Sequence, residues 1–76
     1  RKLEKAKSDL AKATDQYEKI KERIQLYHQK LHVEQEKNNV GKVGKIQDDI
    51  EKQKKNAEKA KEKINKAQAK IDELEG

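Results

Sequence analysis

Apolar residues recur every three or four positions along almost the whole chain. In the first half, this spacing is followed by Leu3, Ala6, Leu10, Ala13, Tyr17, Ile20, Ile24, Tyr27 and Leu31, and then by Glu34. In the second half, it is followed by Val43, Ile46, Ile50, Gln53, Ala57, Ala60, Ile64, Ala67, Ile71 and Leu74. An average spacing of 3.5 residues is the seam of a left-handed coiled coil. The chain is therefore predicted to be helical and to bury one narrow stripe.

The step from Glu34 to Val43 breaks this spacing, so one continuous helix would rotate its apolar stripe out of line at the middle. The break coincides with the segment Asn-Asn-Val-Gly at 38–41. Asn and Gly tolerate the left-handed backbone that ends a helix. The sequence therefore predicts a helix over about 1–37, a turn over about 38–41 and a second helix over about 42–75.

Folding the chain back at this turn brings the two seams into register. The facing layers are Glu34/Val43, Leu31/Ile46, Tyr27/Ile50, Ile24/Gln53, Ile20/Ala57, Tyr17/Ala60, Ala13/Ile64, Leu10/Ala67, Ala6/Ile71 and Leu3/Leu74. Away from the turn, nearly every Ala faces a large side chain, which fills the seam evenly. The predicted fold is all-α, a two-helix antiparallel coiled-coil hairpin, and two hairpins are expected to be able to pair into a four-helix assembly. Along one edge, Asp9 is predicted to lie near Lys70, and Lys30 near Asp49.

The composition excludes several classes of protein. Charged residues make up 46% of the chain and hydrophobic residues 30%, with no Cys or Pro, which is too polar for a conventional globular core. Without Cys there is no disulfide, thiolate zinc site or thiol nucleophile, and no apolar run reaches the ~20 residues of a membrane span. No Gly-rich phosphate loop or nucleophile motif is present. The sequence therefore predicts a protein that is not an enzyme and has no cofactor.

An apolar stripe outside the seam is predicted to bind a partner near the hairpin tip. Leu26 and Val33 occupy a heptad position that earlier heptads fill with lysine, namely Lys5, Lys12 and Lys19. Val40 adds an apolar residue at the predicted turn, and His28 and His32 lie beside the stripe in sequence. Exposed apolar groups that add nothing to the seam are typical of interaction sites, although isolated ones are also common on ordinary surfaces.

Two charged features are predicted to be ordinary solvated surface. His28, His32 and Glu36 are spaced one helical turn apart, but three ligands on one open face make a weak metal site, so no metal is predicted. The stretch 52–66 carries seven lysines and two glutamates. These lysines are predicted to ring their helix without forming a stripe, and almost no Arg and no exposed aromatic accompany them for nucleic-acid binding.

The long, Cys-free helices rich in Lys, Asn and Gln look like the coiled-coil regions of bacterial surface and cell-wall proteins. That resemblance implies a protein-interaction or spacer module, an extracellular or cell-surface location, and another protein or a second copy as partner. The hairpin shape is also similar to the helical arm of seryl-tRNA synthetases, which implies nucleic-acid binding as an alternative. A mechanical stalk of a larger machine is the third hypothesis. Arg1 as the first residue indicates a piece of a longer protein.

Overall fold

The computed structural model describes residues 1–76 and contains two α-helices and no strand. Helix α1 spans Lys2–Glu36 and helix α2 spans Val40–Glu75. The two helices pack antiparallel into a rod whose principal extents are 55 × 14 × 14 Å. The predicted all-α hairpin is therefore confirmed, while its pairing into a four-helix assembly stays a prediction. Neither helix contains the long apolar stretch that crossing a bilayer requires.

Burial follows the predicted seam along the whole rod. Nineteen of the twenty seam positions are buried or half-buried, and the exception, Leu74, is 37% exposed at the open end. Outside the seam only Asn39 and Asp49 are less than fully exposed. The most buried side chains are Ala6, Ala13, Ile50, Ala60 and Ile71. The core is therefore one narrow stripe, and small Ala side chains make up much of it.

The turn is shorter than the predicted span of 38–41. Asn38 takes the left-handed conformation with φ 56°, and its N–H donates to the Gln35 carbonyl at 3.1 Å. Asn39 precedes α2 and its side-chain oxygen accepts from the Lys42 N–H at 3.5 Å, as an N-cap residue does. Asn38 therefore reverses the direction of the chain, and Asn39 caps the helix that follows. Val40 therefore already belongs to α2, two residues before the predicted start of this helix.

Gly41 and Gly44 lie inside α2, where neither has a positive φ and neither would bring a Cβ within 4 Å of another group. Replacing both with Ala is expected to raise the free energy of unfolding by roughly 0.5–1 kcal/mol for each residue, because Gly loses more backbone entropy in a helix. Thermal unfolding followed by circular dichroism measures this gain. Ala69→Gly, at an exposed position of the same helix, should lower stability by a similar amount. No gain from the two Ala would show that α2 is frayed at 41–44 in solution.

Two polar side chains interrupt the seam. One carboxylate oxygen of Glu34 and the amide oxygen of Gln53 are buried without a hydrogen-bond partner. A buried acceptor without a partner costs about 1–3 kcal/mol. The seam is therefore weakest near Glu34 and Gln53, and Ile50 between them, 5% exposed, is the most buried side chain in this half.

Ion pairs do little to join the helices. Only the pair between Lys7 Nζ and Glu75 Oε1, at 3.5 Å, crosses from α1 to α2, and the remaining three lie within α1. The predicted pairs of Asp9 with Lys70 and of Lys30 with Asp49 do not form, although the members of each line a common groove. Exposed ion pairs contribute only about 0–1 kcal/mol, so solvent competes effectively for these lysines.

Candidate partner-binding grooves

Two open grooves run between the helices, one near the turn and one near the chain ends. The tip groove is lined by Leu26, Tyr27, Gln29, Lys30, Val33, Glu34, Lys42, Lys45, Ile46 and Asp49. The base groove is lined by Lys2, Lys5, Ala6, Asp9, Lys12, Ala13, Gln16, Lys63, Lys66, Ala67 and Lys70. Both grooves take their floors from seam residues and their walls from the helix positions next to the seam.

Apolar side chains form one wall and the floor of the tip groove. Leu26 and Val33 are 56% and 46% exposed. They lie seven residues apart on α1, and this places them two turns apart on the same helix face. Tyr27 and Ile46, half-buried in the seam, line the groove beside them. The tip groove therefore presents four apolar side chains among its ten lining residues.

Charged groups border these apolar side chains. Lys30, Lys42 and Lys45 line the tip groove together with the carboxylates of Glu34 and Asp49. The Lys30 ammonium also lies 5.8 Å from the centre of the Tyr27 ring, within the range of a cation–π contact. The rim consequently carries more positive than negative charge.

The structure separates the other predicted partner-binding residues from the tip groove. His28 and His32 are exposed but do not line it, and His32 Nε2 lies 3.1 Å from Glu36 Oε1 on the same helix. Val40 is 82% exposed as the first residue of α2 and also lies outside the groove. No group of three or more His, Cys, Asp or Glu side chains could hold a metal ion. Of the five predicted residues, the structure therefore brings together only Leu26 and Val33.

The base groove was missed by the sequence reasoning. Six lysines line it, three from each helix, with three alanines and one aspartate. The prediction that the lysines of 52–66 ring α2 without a stripe holds only in part, because four of the seven share one edge of the helix, namely Lys52, Lys59, Lys63 and Lys66. Folding places Lys63 and Lys66 opposite Lys5 and Lys12 of α1. The sequence did contain a sign of this groove, because Lys5 and Lys12 occupy the same heptad position of α1 as Leu26.

This shared heptad position puts both grooves on the same edge of the hairpin. At this position the base groove has Lys5 and Lys12, and the tip groove has Leu26 and Val33. Comparisons with protein-family models, curated proteins and solved structures find no match to this chain. Its function is accordingly inferred from the chemistry of the two grooves, which offer apolar contact at the tip and ammonium groups at the base.

Proposed function

We propose that this chain is a non-enzymatic protein-interaction module whose tip groove binds an α-helix of another protein. The observation that carries this proposal is the exposure of Leu26 and Val33 beside Tyr27 and Ile46 in one groove. Neither Leu26 nor Val33 is a seam residue, so their exposure costs solubility without stabilising the hairpin. A partner that covers them removes this apolar area from water.

The spacing of Leu26 and Val33 matches the spacing of the anchor residues of an amphipathic helix. Leu26 and Val33 are separated by seven residues, or about 10 Å along the helix axis. An amphipathic helix that lies in a groove presents anchors at positions i, i+3 or i+4, and i+7, which span the same distance. Burial of a Leu or Val side chain is worth about 1.5–3 kcal/mol. Two such contacts, together with Tyr27 and Ile46, supply enough apolar area for a specific but reversible complex.

The rim charges favour another protein over a second copy of the chain. Lys30, Lys42 and Lys45 border the groove, and a second hairpin docked by the same edge would bring its own lysines against them. Like charges placed opposite each other across an interface disfavour that pairing. An apolar helix flanked by Asp or Glu meets the lysines favourably. The proposed partner is therefore an acidic amphipathic helix.

The test replaces the two exposed apolar residues with lysine. Leu26→Lys combined with Val33→Lys restores the residue type that this heptad position carries in the base half. The probe is a labelled synthetic helix with Leu anchors at i, i+4 and i+7 and flanking Glu, and fluorescence anisotropy measures its binding. We expect the double variant to keep its helicity by circular dichroism and to bind the probe at least about tenfold more weakly, because two buried apolar contacts are lost.

A matched control adds the same charge on the other side of α1. Gln25 and His32 are exposed, lie seven residues apart and do not line the tip groove. The Gln25→Lys, His32→Lys variant should bind the probe like the wild-type chain. If the groove variant binds as well as this control, Leu26 and Val33 are ordinary surface and the hairpin is better described as a spacer. If sedimentation instead shows a wild-type dimer that the groove variant abolishes, the partner is a second copy.

A further inference from the structure

We infer that the base groove is a second binding site, independent of the tip groove, that takes the phosphate backbone of a nucleic-acid duplex without reading its sequence. The groove gathers Lys2, Lys5, Lys12, Lys63, Lys66 and Lys70 around one carboxylate, that of Asp9. These lysines come from both ends of the sequence and meet only because the chain folds back. Their convergence is a property of the hairpin that neither helix has by itself.

The concentration of positive charge extends along the whole grooved edge. In α1, that edge consists of every seventh residue counted from Lys2 and from Lys5. In α2, it consists of every seventh residue counted from Lys42 and from Lys45. These twenty positions hold thirteen Lys or Arg and three Asp or Glu. The excess on this edge alone is larger than the net charge of +5 on the entire chain.

The opposite edge carries a small excess of acidic groups. In α1, it consists of every seventh residue counted from Glu4 and from Lys7. In α2, it consists of every seventh residue counted from Gly44 and from Gln47. These twenty positions hold four Lys and six Asp or Glu. Charges that look interspersed in the sequence are therefore distributed unevenly around the folded rod, with the basic excess on one edge. A rod with one basic edge attracts a long polyanion in a defined orientation.

The six lysines of the base groove are free to bind. Each ion pair in the structure uses a side chain outside this set, and none of the six has a carboxylate oxygen within ion-pairing distance. None of them donates a side-chain hydrogen bond either. A polyanion that enters the groove therefore displaces water and counterions and breaks no contact within the protein.

The composition of the groove favours phosphate over an acidic helix. Its floor is made of the small side chains Ala6, Ala13 and Ala67, which offer little apolar area to a docked helix. Such a helix would depend on exposed ion pairs worth about 0–1 kcal/mol each. A nucleic acid gains affinity from released counterions and needs no apolar contact. The tip groove, with its exposed Leu and Val, differs from the base groove in this respect.

The same residues argue for a duplex bound without sequence preference. Lysine approaches phosphates as a point charge, and phosphate contacts carry no base information. Tyr17 and Tyr27, the only aromatic residues, are half-buried in the seam and so cannot act as stacking platforms for single-stranded bases. The rod is 55 Å long, which matches a duplex of about 16 base pairs at 3.4 Å per pair.

The test compares two sets of four Lys→Gln substitutions. The groove set is Lys5, Lys12, Lys63 and Lys66, and the control set, outside the base groove, is Lys21, Lys54, Lys55 and Lys61. Both sets lower the formal net charge from +5 to +1, and Gln is as good a helix former as Lys. Fluorescence anisotropy with a mixed-sequence DNA duplex of about 20 base pairs, at about 50 to 200 mM salt, measures binding.

We expect the wild-type chain to show a slope of log K against log salt of about −5, which corresponds to about six neutralised phosphates. The groove variant should have a slope near −2 and, at the lowest salt, an affinity lower by on the order of 100-fold. The control variant should lose much less affinity and keep most of the slope. Circular dichroism should show equal helicity for all three proteins.

Three results would overturn this inference. The first is an equal loss in the groove and control variants, because affinity would then follow net charge and not the groove. The second is tighter binding of poly-L-glutamate than of the duplex at equal total charge, which would make an acidic polypeptide the ligand. The third is no binding by the wild-type chain at the lowest salt. The Leu26→Lys, Val33→Lys variant should still bind the duplex, so failure of the tip-groove proposal leaves this one standing.

Discussion

Replacing Ile50 with Ala is expected to unfold most of the hairpin. Ile50 is 5% exposed and is one of only two large side chains that are buried. It lies between the two seam positions whose oxygens have no hydrogen-bond partner, Glu34 and Gln53. An Ile→Ala change in a core costs about 2–5 kcal/mol. A single core in a chain of this size rarely supplies more than about 3–5 kcal/mol, so the loss is comparable to the entire stability.

Circular dichroism during thermal or urea unfolding measures this effect. Leu26→Ala is the control, since it also removes an aliphatic side chain in the tip half but at a position that is 56% exposed. That change should alter stability by at most about 0.5 kcal/mol. A melting curve of Ile50→Ala that overlaps the wild-type curve would mean that the hairpin is held together by something other than its seam.

The helices and their seam could be predicted from the sequence because a coiled coil depends on spacing alone. A residue every 3.5 positions faces the partner helix whatever its neighbours are, so Gln53 and Glu34 could be assigned to the seam despite being polar. The turn was harder to place. Gly41 suggested a longer loop, but Asn38 takes the left-handed conformation and Asn39 caps α2, so the glycine is left inside the helix.

The candidate site was predictable only in part, because heptad spacing describes each helix separately. Leu26 and Val33 stood out against the lysines at the same position of one helix, and the structure places both in the tip groove. His28 and His32 are near them in sequence but face another direction on the helix. The base groove depends on which residues of α2 lie opposite α1, since Lys63 and Lys66 acquire their neighbours only through the antiparallel register.

Exchanging the side chains of Ala13 and Ile64 tests that register directly. Ala13 is buried, and it lines the base groove together with Lys63, which directly precedes Ile64, and Ala67, the next seam residue after Ile64. Ala13→Ile alone should cost about 1–3 kcal/mol, because the added methylene groups push the helices apart. Ile64→Ala alone should cost about 2–5 kcal/mol, because it leaves a cavity.

The double exchange restores the volume of the layer and leaves the composition unchanged. Its cost should therefore fall below about 1.5 kcal/mol, as for other volume-conserving changes in a core, so that the two single effects compensate strongly. Additive costs, measured by urea unfolding of the four proteins, would show that Ala13 and Ile64 are not neighbours. Lys12 and Lys63 are the groove-wall residues next to this layer. Additive costs would therefore also mean that the lysines of the base groove do not lie opposite one another. Strong compensation would instead support both the register and the groove built on it.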